Sequence, residues 1–196
     1  MAHPAPARRL TLSPIGFDIV LALSQAIDGL RLADIAHVIS SPISSAQTAL
    51  RILVANDIAQ RLAKEPPRYR LAPGHPARAE LISLAAVLPE APHAIGVVLR
   101  ANEAIGYAAV DADGFLASLR TDAPADSVEV LDRQLGMISA ARPDAPEVVR
   151  IPEDELERHL RVAVGLRARL RRAVTIKGAP PAGARDTQAG GQRAVG

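Results

Sequence analysis

Residues 43–58 have the sequence ISSAQTALRILVANDI, in which apolar side chains recur every three or four positions. This spacing predicts a helix with one apolar face turned towards a core. Ser44 is a favourable N-cap residue, so the helix is expected to begin near it. It is expected to end at Asn56-Asp57, because both residue types tolerate left-handed backbone geometry. The residues predicted to face the core are Ala46, Ala49, Leu50, Leu53 and Val54.

The opposite face of this predicted helix is polar and carries candidate DNA contacts. Hydroxyl groups and arginine suit phosphate oxygens, while glutamine and arginine can pair with adenine and guanine edges in a major groove. The candidate residues on this face are Ser44, Ser45, Gln47, Thr48 and Arg51.

The surrounding pattern predicts helix, short strand, helix, turn, helix and hairpin, followed by a fourth helix. Pro14 is expected to open the first helix and Gly29 to end it. A short strand is predicted at residues 30–32. The later elements are predicted at residues 33–39 (helix), 58–62 and 69–72 (paired strands) and 77–88 (helix). Three basic residues of the hairpin, Lys64, Arg68 and Arg70, are further candidates for DNA contact.

The stretch from Ile43 to Ile58, with the basic hairpin that ends in Arg68-Tyr69-Arg70-Leu71, strongly resembles the recognition-helix region of MarR/ArsR-type regulators. The resemblance covers residues 14–88 and implies a winged helix-turn-helix domain that binds double-stranded DNA. A homodimer is expected, because one recognition helix reads only a few base pairs. Asp57 departs from the pattern, since a glycine is usual at that position.

The second half of the chain is interpreted as a small α/β domain over residues 93–177. Strands are predicted at residues 95–100, 115–119 and 147–151, and a helix at 128–138. A further helix is expected from Pro152-Glu153-Asp154 to Val164, followed by a basic helical stretch to Ala173. Residues 1–13 are predicted to be a flexible arm and residues 178–196 a disordered tail. The predicted fold class is therefore α+β.

Residues 98–117 resemble a degenerate version of the minimal nucleotidyltransferase signature. In that family a strand leads to a Gly-Ser turn, and two aspartates on the next strand bind Mg²⁺. Here Arg100-Ala101 replaces the Gly-Ser pair, and Phe115 stands where the second aspartate belongs. Asp111 and Asp113 are the remaining weak metal candidates. The resemblance implies a degenerate, inactive domain kept for binding or dimerisation, and an unrelated small α/β domain is the alternative.

Composition and charge restrict the other possibilities. Apolar residues make up 48% of the chain, which excludes disorder throughout. No long uncharged apolar run and no secretory signal are found, so a cytoplasmic protein without a membrane segment is expected. Because cysteine is absent and the histidines lack ligand spacing, neither a metal nor a cofactor is expected.

Basic residues concentrate in two places although the net charge is only +2. Between Arg51 and Arg70 the sequence has five basic and two acidic residues, and this local excess of positive charge favours contact with an anionic partner. Six more occur from Arg161 to Lys177 without an acid. This second group is interpreted either as a solvated helix face or as additional phosphate contacts.

The leading hypothesis is a dimeric DNA-binding repressor, and an antitoxin-like version of it would bind a cognate toxin through the second domain. Two alternatives remain open. One is a nucleotidyltransferase-like enzyme in which Asp111 and Asp113 hold Mg²⁺. The other is a winged helix used only for protein–protein contacts.

Overall fold

The computed structural model describes residues 12–181, and within that range the chain is a mixed α+β protein. Eight helices and two small sheets are present among these residues. The chain divides into two compact units, with the boundary between Ala85 and Ala86. The predictions of a flexible arm and a disordered tail fall largely on residues 1–11 and 182–196, which lie outside the described residues. No helix in the described range is long and apolar enough to cross a membrane.

The first unit contains four helices and a three-stranded antiparallel sheet with strand order β1-β3-β2. Helix α4 carries the unit boundary in its last turn. The elements are α1 (Pro14–Gln25), β1 (Leu30–Arg31), α2 (Leu32–Val38), α3 (Ile43–Ala55), β2 (Ala59–Leu62), β3 (Arg68–Leu71) and α4 (Arg78–Val87). This order agrees with the order predicted for residues 14–88.

Helix α1 begins at Pro14 as predicted, and the Ser13 hydroxyl accepts a hydrogen bond from the Gly16 N–H at 3.2 Å. Ser13 is therefore the N-cap of the helix, so assigning it to a flexible arm was wrong. The helix ends at Gln25 and not at Gly29. A turn closed by the Gly29 N–H and the Ala26 carbonyl at 3.1 Å separates the helix from the glycine.

Helix α3 buries the apolar face that its sequence predicts, with Ala46, Ala49, Leu50 and Leu53 buried. Its N-cap is Pro42, without a side-chain cap, so the prediction that Ser44 caps the helix was wrong. The extended Pro42 lets the helix start one residue earlier, at Ile43. At the other end Asp57 has φ 58°, so the predicted left-handed turn is present at the position where a glycine is usual.

The core of the first unit joins α1 to α2, α3 and β3. Ile19, Leu21, Ile35 and Leu53 are completely buried in it. Because α3 presents its apolar side to this core, its polar side is left at the surface.

The second unit contains a four-stranded mixed sheet with strand order β6-β5-β4-β7. Strands β5 and β6 are parallel, while β4 is antiparallel to both β5 and β7. The elements are α5 (Ala91–Ala101), β4 (Ile105–Asp111), β5 (Gly114–Leu119), α6 (Ala125–Ala141), β6 (Val148–Pro152), α7 (Glu153–Val162), α8 (Val164–Arg172) and β7 (Val174–Lys177).

Residues 95–100 lie in helix α5, so the strand predicted for them was wrong. Residues 95–99 contain no polar side chain, and periodicity cannot distinguish a buried helical segment from a buried strand. Pro92 in the first turn favours the helix, and Ile95 to Leu99 are all buried. Strands β4 and β7 were not predicted, whereas the strands at β5 and β6 and the helix at α6 are confirmed.

Helices α7 and α8 cover one face of this sheet through a single apolar cluster. On the other face Ala108, Phe115 and Ala117 are buried as well. Both faces of the sheet are therefore covered. The cluster under α7 and α8 consists of Tyr107, Ala109, Leu116, Leu156, Leu160 and Leu170.

Gly29 lies where β3 passes closest to the turn after α1, and its substitution should destabilise the first unit. Its φ is +72°, and a Cβ atom there would lie 2.6 Å from the Tyr69 carbonyl oxygen. We expect Gly29→Ala to lower the free energy of unfolding by about 2 kcal/mol or more, measured by urea denaturation. Gly74→Ala is the control, because a Cβ atom at Gly74 would have no neighbour within 4 Å. Equal effects in the two variants would contradict this account.

Candidate nucleic-acid interface

The exposed face of α3 carries the side chains that the sequence singled out. Gln47 and Arg51 are exposed and are the longest polar side chains on the helix. Ser44 and Thr48 are exposed as well, while Ser45 is half-buried. The Thr48 hydroxyl donates to the Ser44 carbonyl at 3.0 Å, so its proton is used within the helix and only its oxygen can accept another bond. Gln47 and Arg51 are therefore best able to reach base edges.

Two isoleucines are also exposed on α3. Ile43 is 55% exposed and Ile52 is 42% exposed, although both are large and apolar. On a DNA-reading helix, such side chains can contact thymine methyl groups. On a protein-binding helix they would supply buried apolar area instead. The surface of α3 is thus chemically mixed.

The hairpin of β2 and β3 divides its polar residues between two faces. In its register Gln60 opposes Arg70, and Arg61 opposes Tyr69. When the Gln60 amide is oriented with its oxygen towards Arg70, that oxygen accepts from Nε at 2.5 Å and from Nη2 at 2.6 Å. Arg68 donates through Nη1 to the Gly29 carbonyl at 3.1 Å. Arg68 and Arg70 therefore use donors to hold the sheet together.

A surface depression of about 270 Å³ lies between α3 and the hairpin, and it shows which hairpin residues face the helix. Gln47 and Arg51 line it from α3, and Arg61 and Tyr69 line it from the strands. The prediction from sequence included neither Arg61 nor Tyr69. The signal that identifies them is the strand alternation, which places Arg61 and Tyr69 on the same face as the buried pair Ala59 and Leu71.

Three exposed cations of α3 and the hairpin have no carboxylate partner within residues 12–181: Arg51 and Arg61, which line the depression, and Lys64 of the turn. By contrast, the nearby Arg31 is paired with Asp34 at 2.9 Å. Cations without an ion pair can exchange bound counterions for phosphate contacts without first breaking an internal bond. The set available for anion binding is therefore Arg51, Arg61 and Lys64, with Arg68 and Arg70 partly engaged.

The nucleotidyltransferase-like stretch of the second unit folds as a helix end followed by a hairpin. Arg100 and Ala101 form the last turn of α5, so the strand expected before this pair is absent at that position. Gly106 lies near the start of β4, and Phe115 is buried on β5. Asp113 lies in the tight turn between the two strands.

Asp111, at the end of β4, forms an ion pair with Arg169 of α8. Its Oδ2 accepts from Arg169 Nε at 2.8 Å, and its Oδ1 accepts from the Asp113 N–H at 2.9 Å. Burial opposes ionisation, but the hydrogen bonds from Arg169 and Asp113 prevail and lower the pKa of Asp111. Both oxygens thus have donors already. Within the described range no three His, Asp or Glu side chains are grouped to hold a metal ion.

The basic stretch from Arg161 to Lys177 does not form one uniform face. Arg169 is engaged by Asp111, and Arg161 lies 3.9 Å from Glu157. Lys177 donates to the Asn102 carbonyl. Burial lowers the pKa of Lys177 to about 8, against the opposing attraction of Glu103. Arg169 and Lys177 therefore have partners inside the second unit, a role that neither the solvated-face nor the phosphate-contact interpretation included.

Comparison of the chain with protein-family models, with curated proteins and with solved structures gives no match. The case for a function therefore depends on the site itself. The surface with the largest group of exposed polar and cationic side chains described above is the polar face of α3 beside the basic hairpin.

The Asp111–Arg169 ion pair should make the stability of the second unit depend on pH. Because the pKa of Asp111 is lowered by folding, its ionised form stabilises the fold above the unfolded pKa of about 3.9. That contribution is lost as the pH falls through the folded pKa. We expect Asp111→Asn to cost about 1–2 kcal/mol at pH 7, measured by urea unfolding, and much less near pH 3.

Asp113→Asn is the matched control, since Asp113 is exposed in the same turn. It should leave the free energy of unfolding within about 0.5 kcal/mol of the wild-type value. A loss in Asp111→Asn that is the same at both pH values would refute the role of its charge.

Proposed function

We propose that the chain is a DNA-binding transcriptional regulator whose residues 14–88 form a winged helix-turn-helix domain. One observation carries the proposal: α3 buries an apolar face and presents Gln47 and Arg51 beside a hairpin with unpaired cations. In this proposal α2 and α3 are the helix-turn-helix, α3 is the recognition helix, and the β2–β3 hairpin is the wing.

The proposed division of labour follows from side-chain length and partners. Gln47 and Arg51 read adenine and guanine edges in the major groove. The hydroxyls of Ser44 and Ser45 donate to phosphate oxygens and fix the register. The Thr48 hydroxyl, whose proton is used within the helix, accepts from a base amino group instead. The wing contacts the neighbouring backbone with Arg61 and Lys64. Arg68 and Arg70 keep the wing rigid through Gly29 and Gln60.

A homodimer is part of the proposal, because α3 alone covers only a few base pairs and two half-sites multiply the affinity. Repression is the proposed mode of regulation, with the second unit binding a small ligand or a partner such as a cognate toxin. No catalytic role is proposed for Asp111 and Asp113, since donors already occupy both oxygens of Asp111.

A second candidate function is protein–protein contact through the same helix. The exposure of Ile43 and Ile52 favours it, because buried aliphatic side chains contribute to protein interfaces more than to phosphate contacts. Under this alternative, DNA affinity would be weak, independent of sequence and abolished by moderate salt.

The deciding experiment is fluorescence anisotropy of the full chain with DNA from upstream of its own gene and with a scrambled duplex, across a salt series. Arg51→Ala should reduce the preference for the upstream DNA by about 1–3 kcal/mol, because it removes a base contact. Arg78→Ala, an exposed arginine on α4, is the control and should retain the preference. Salt-sensitive binding that is equal for both duplexes would reject sequence-specific binding.

Lys64→Ala tests the wing separately. If Lys64 contacts only phosphate, its loss weakens binding to both duplexes by the same factor. The slope of log affinity against log salt should decrease by about one. A changed preference between the duplexes, or an unchanged slope, would show that Lys64 has no such phosphate contact.

A further inference from the structure

A cavity of about 360 Å³ opens in the second unit where the start of α7 passes over strands β4 and β5. Its wall is formed by Gly106 and Tyr107 of β4, by Ser118 of β5 and by Ala179 and Pro181 after β7. Its rim carries Glu153, Asp154 and Glu157 of α7. The site lies outside the surface proposed to bind DNA, so it requires an explanation of its own.

Two hydroxyl groups in the wall lack an internal partner. Ser118 is only 1% exposed and Tyr107 only 5% exposed, and the two residues are paired across β4 and β5. Neither hydroxyl forms a hydrogen bond to another residue in the range 12–181. Neither hydroxyl oxygen is among the fully buried polar atoms that lack a partner, so both can be reached from the cavity. A ligand that donates hydrogen bonds inside the cavity would pair with them.

The rim is negatively charged and is only partly neutralised. Acidic residues in a first helical turn are common, because they complement the helix dipole. The Arg120 guanidinium attracts Glu153, but its hydrogen bonds go to the two oxygens of Asp122, at 2.8 and 2.9 Å. Within the described residues Glu153 and Asp154 have no ion pair. A Cβ atom at Gly106 would lie 3.1 Å from Arg120 Cγ and 3.6 Å from Glu153 Oε2, so the absence of a side chain at Gly106 lets both of these side chains approach β4.

We propose that this cavity binds a small organic cation with a primary ammonium group. An ammonium has three N–H donors and no acceptor. The hydroxyl oxygens of Ser118 and Tyr107 and the carboxylate of Glu153 supply three acceptors, one of them charged. Leu156 and the ring of Tyr107 provide apolar contact for an alkyl chain. The carboxylates repel anions, and the apolar wall disfavours a hydrated metal ion.

The test is isothermal titration of the full chain with 1,4-diaminobutane at pH 7.5 and moderate salt. Saturable one-to-one binding is expected. Ser118→Ala and Glu153→Gln should each weaken it by about tenfold, through loss of a neutral and of a charged acceptor. Glu129→Gln, an exposed glutamate on α6 away from the cavity, is the control and should bind like the wild type.

Because Ser118 is uncharged, the Ser118→Ala variant distinguishes specific binding in the cavity from general attraction of cations to an acidic surface. Binding that Ser118→Ala leaves unchanged, or that Glu129→Gln weakens as much as Glu153→Gln, would overturn the proposal. The absence of saturable binding up to millimolar diamine would overturn it too, as would displacement of the diamine by equimolar Mg²⁺. Because Glu153 is exposed, Glu153→Gln should fold normally and keeps the test decisive even if Ser118→Ala is unstable.

Discussion

The packing of one face of α3 against α1 is the constraint on which the candidate interface depends. Leu50 and Leu53 are almost fully buried, and moving either to the surface would expose a large apolar side chain to water. Rotation of α3 about its axis is therefore costly. The helix cannot bury its leucines without presenting Gln47 and Arg51 outward. The packing of α3 in the core thus determines which of its side chains are exposed to a partner.

The same logic explains how much could be predicted from sequence. The 3.6-residue period of Ala46, Ala49, Leu50 and Leu53 identifies α3 and its exposed face directly. Residues 95–99 contain no polar side chain and are all buried, so this stretch has no period that reveals the helical character of α5. Hydrophobic periodicity in a sequence identifies amphipathic helices and strands but does not identify segments that are buried on all sides.

The hairpin shows a second limit, which concerns the identity of site residues. Arg61, Arg68 and Arg70 are chemically equivalent in the sequence, and only the register separates them. Arg70 opposes Gln60 and Arg68 reaches Gly29, whereas Arg61 faces α3. These partners lie far away in sequence or across the five-residue connection between β2 and β3, so the sequence alone does not show which arginines already use their donors within the fold. Similarly, Arg169 is the partner of Asp111 although 58 positions separate them.

Strand β7 has a consequence for how the two units form. It pairs with β4, although β5, α6, β6, α7 and α8 all lie between the two strands in the chain. The strand pairs of the first unit all lie within residues 30–71, so its sheet needs no later part of the chain and can form early in synthesis. In the second unit one edge of β4 stays unpaired until residues 174–177 have been synthesised. During synthesis the two units therefore mature in sequence, and the proposed DNA-binding surface exists before the cavity under α7 is complete.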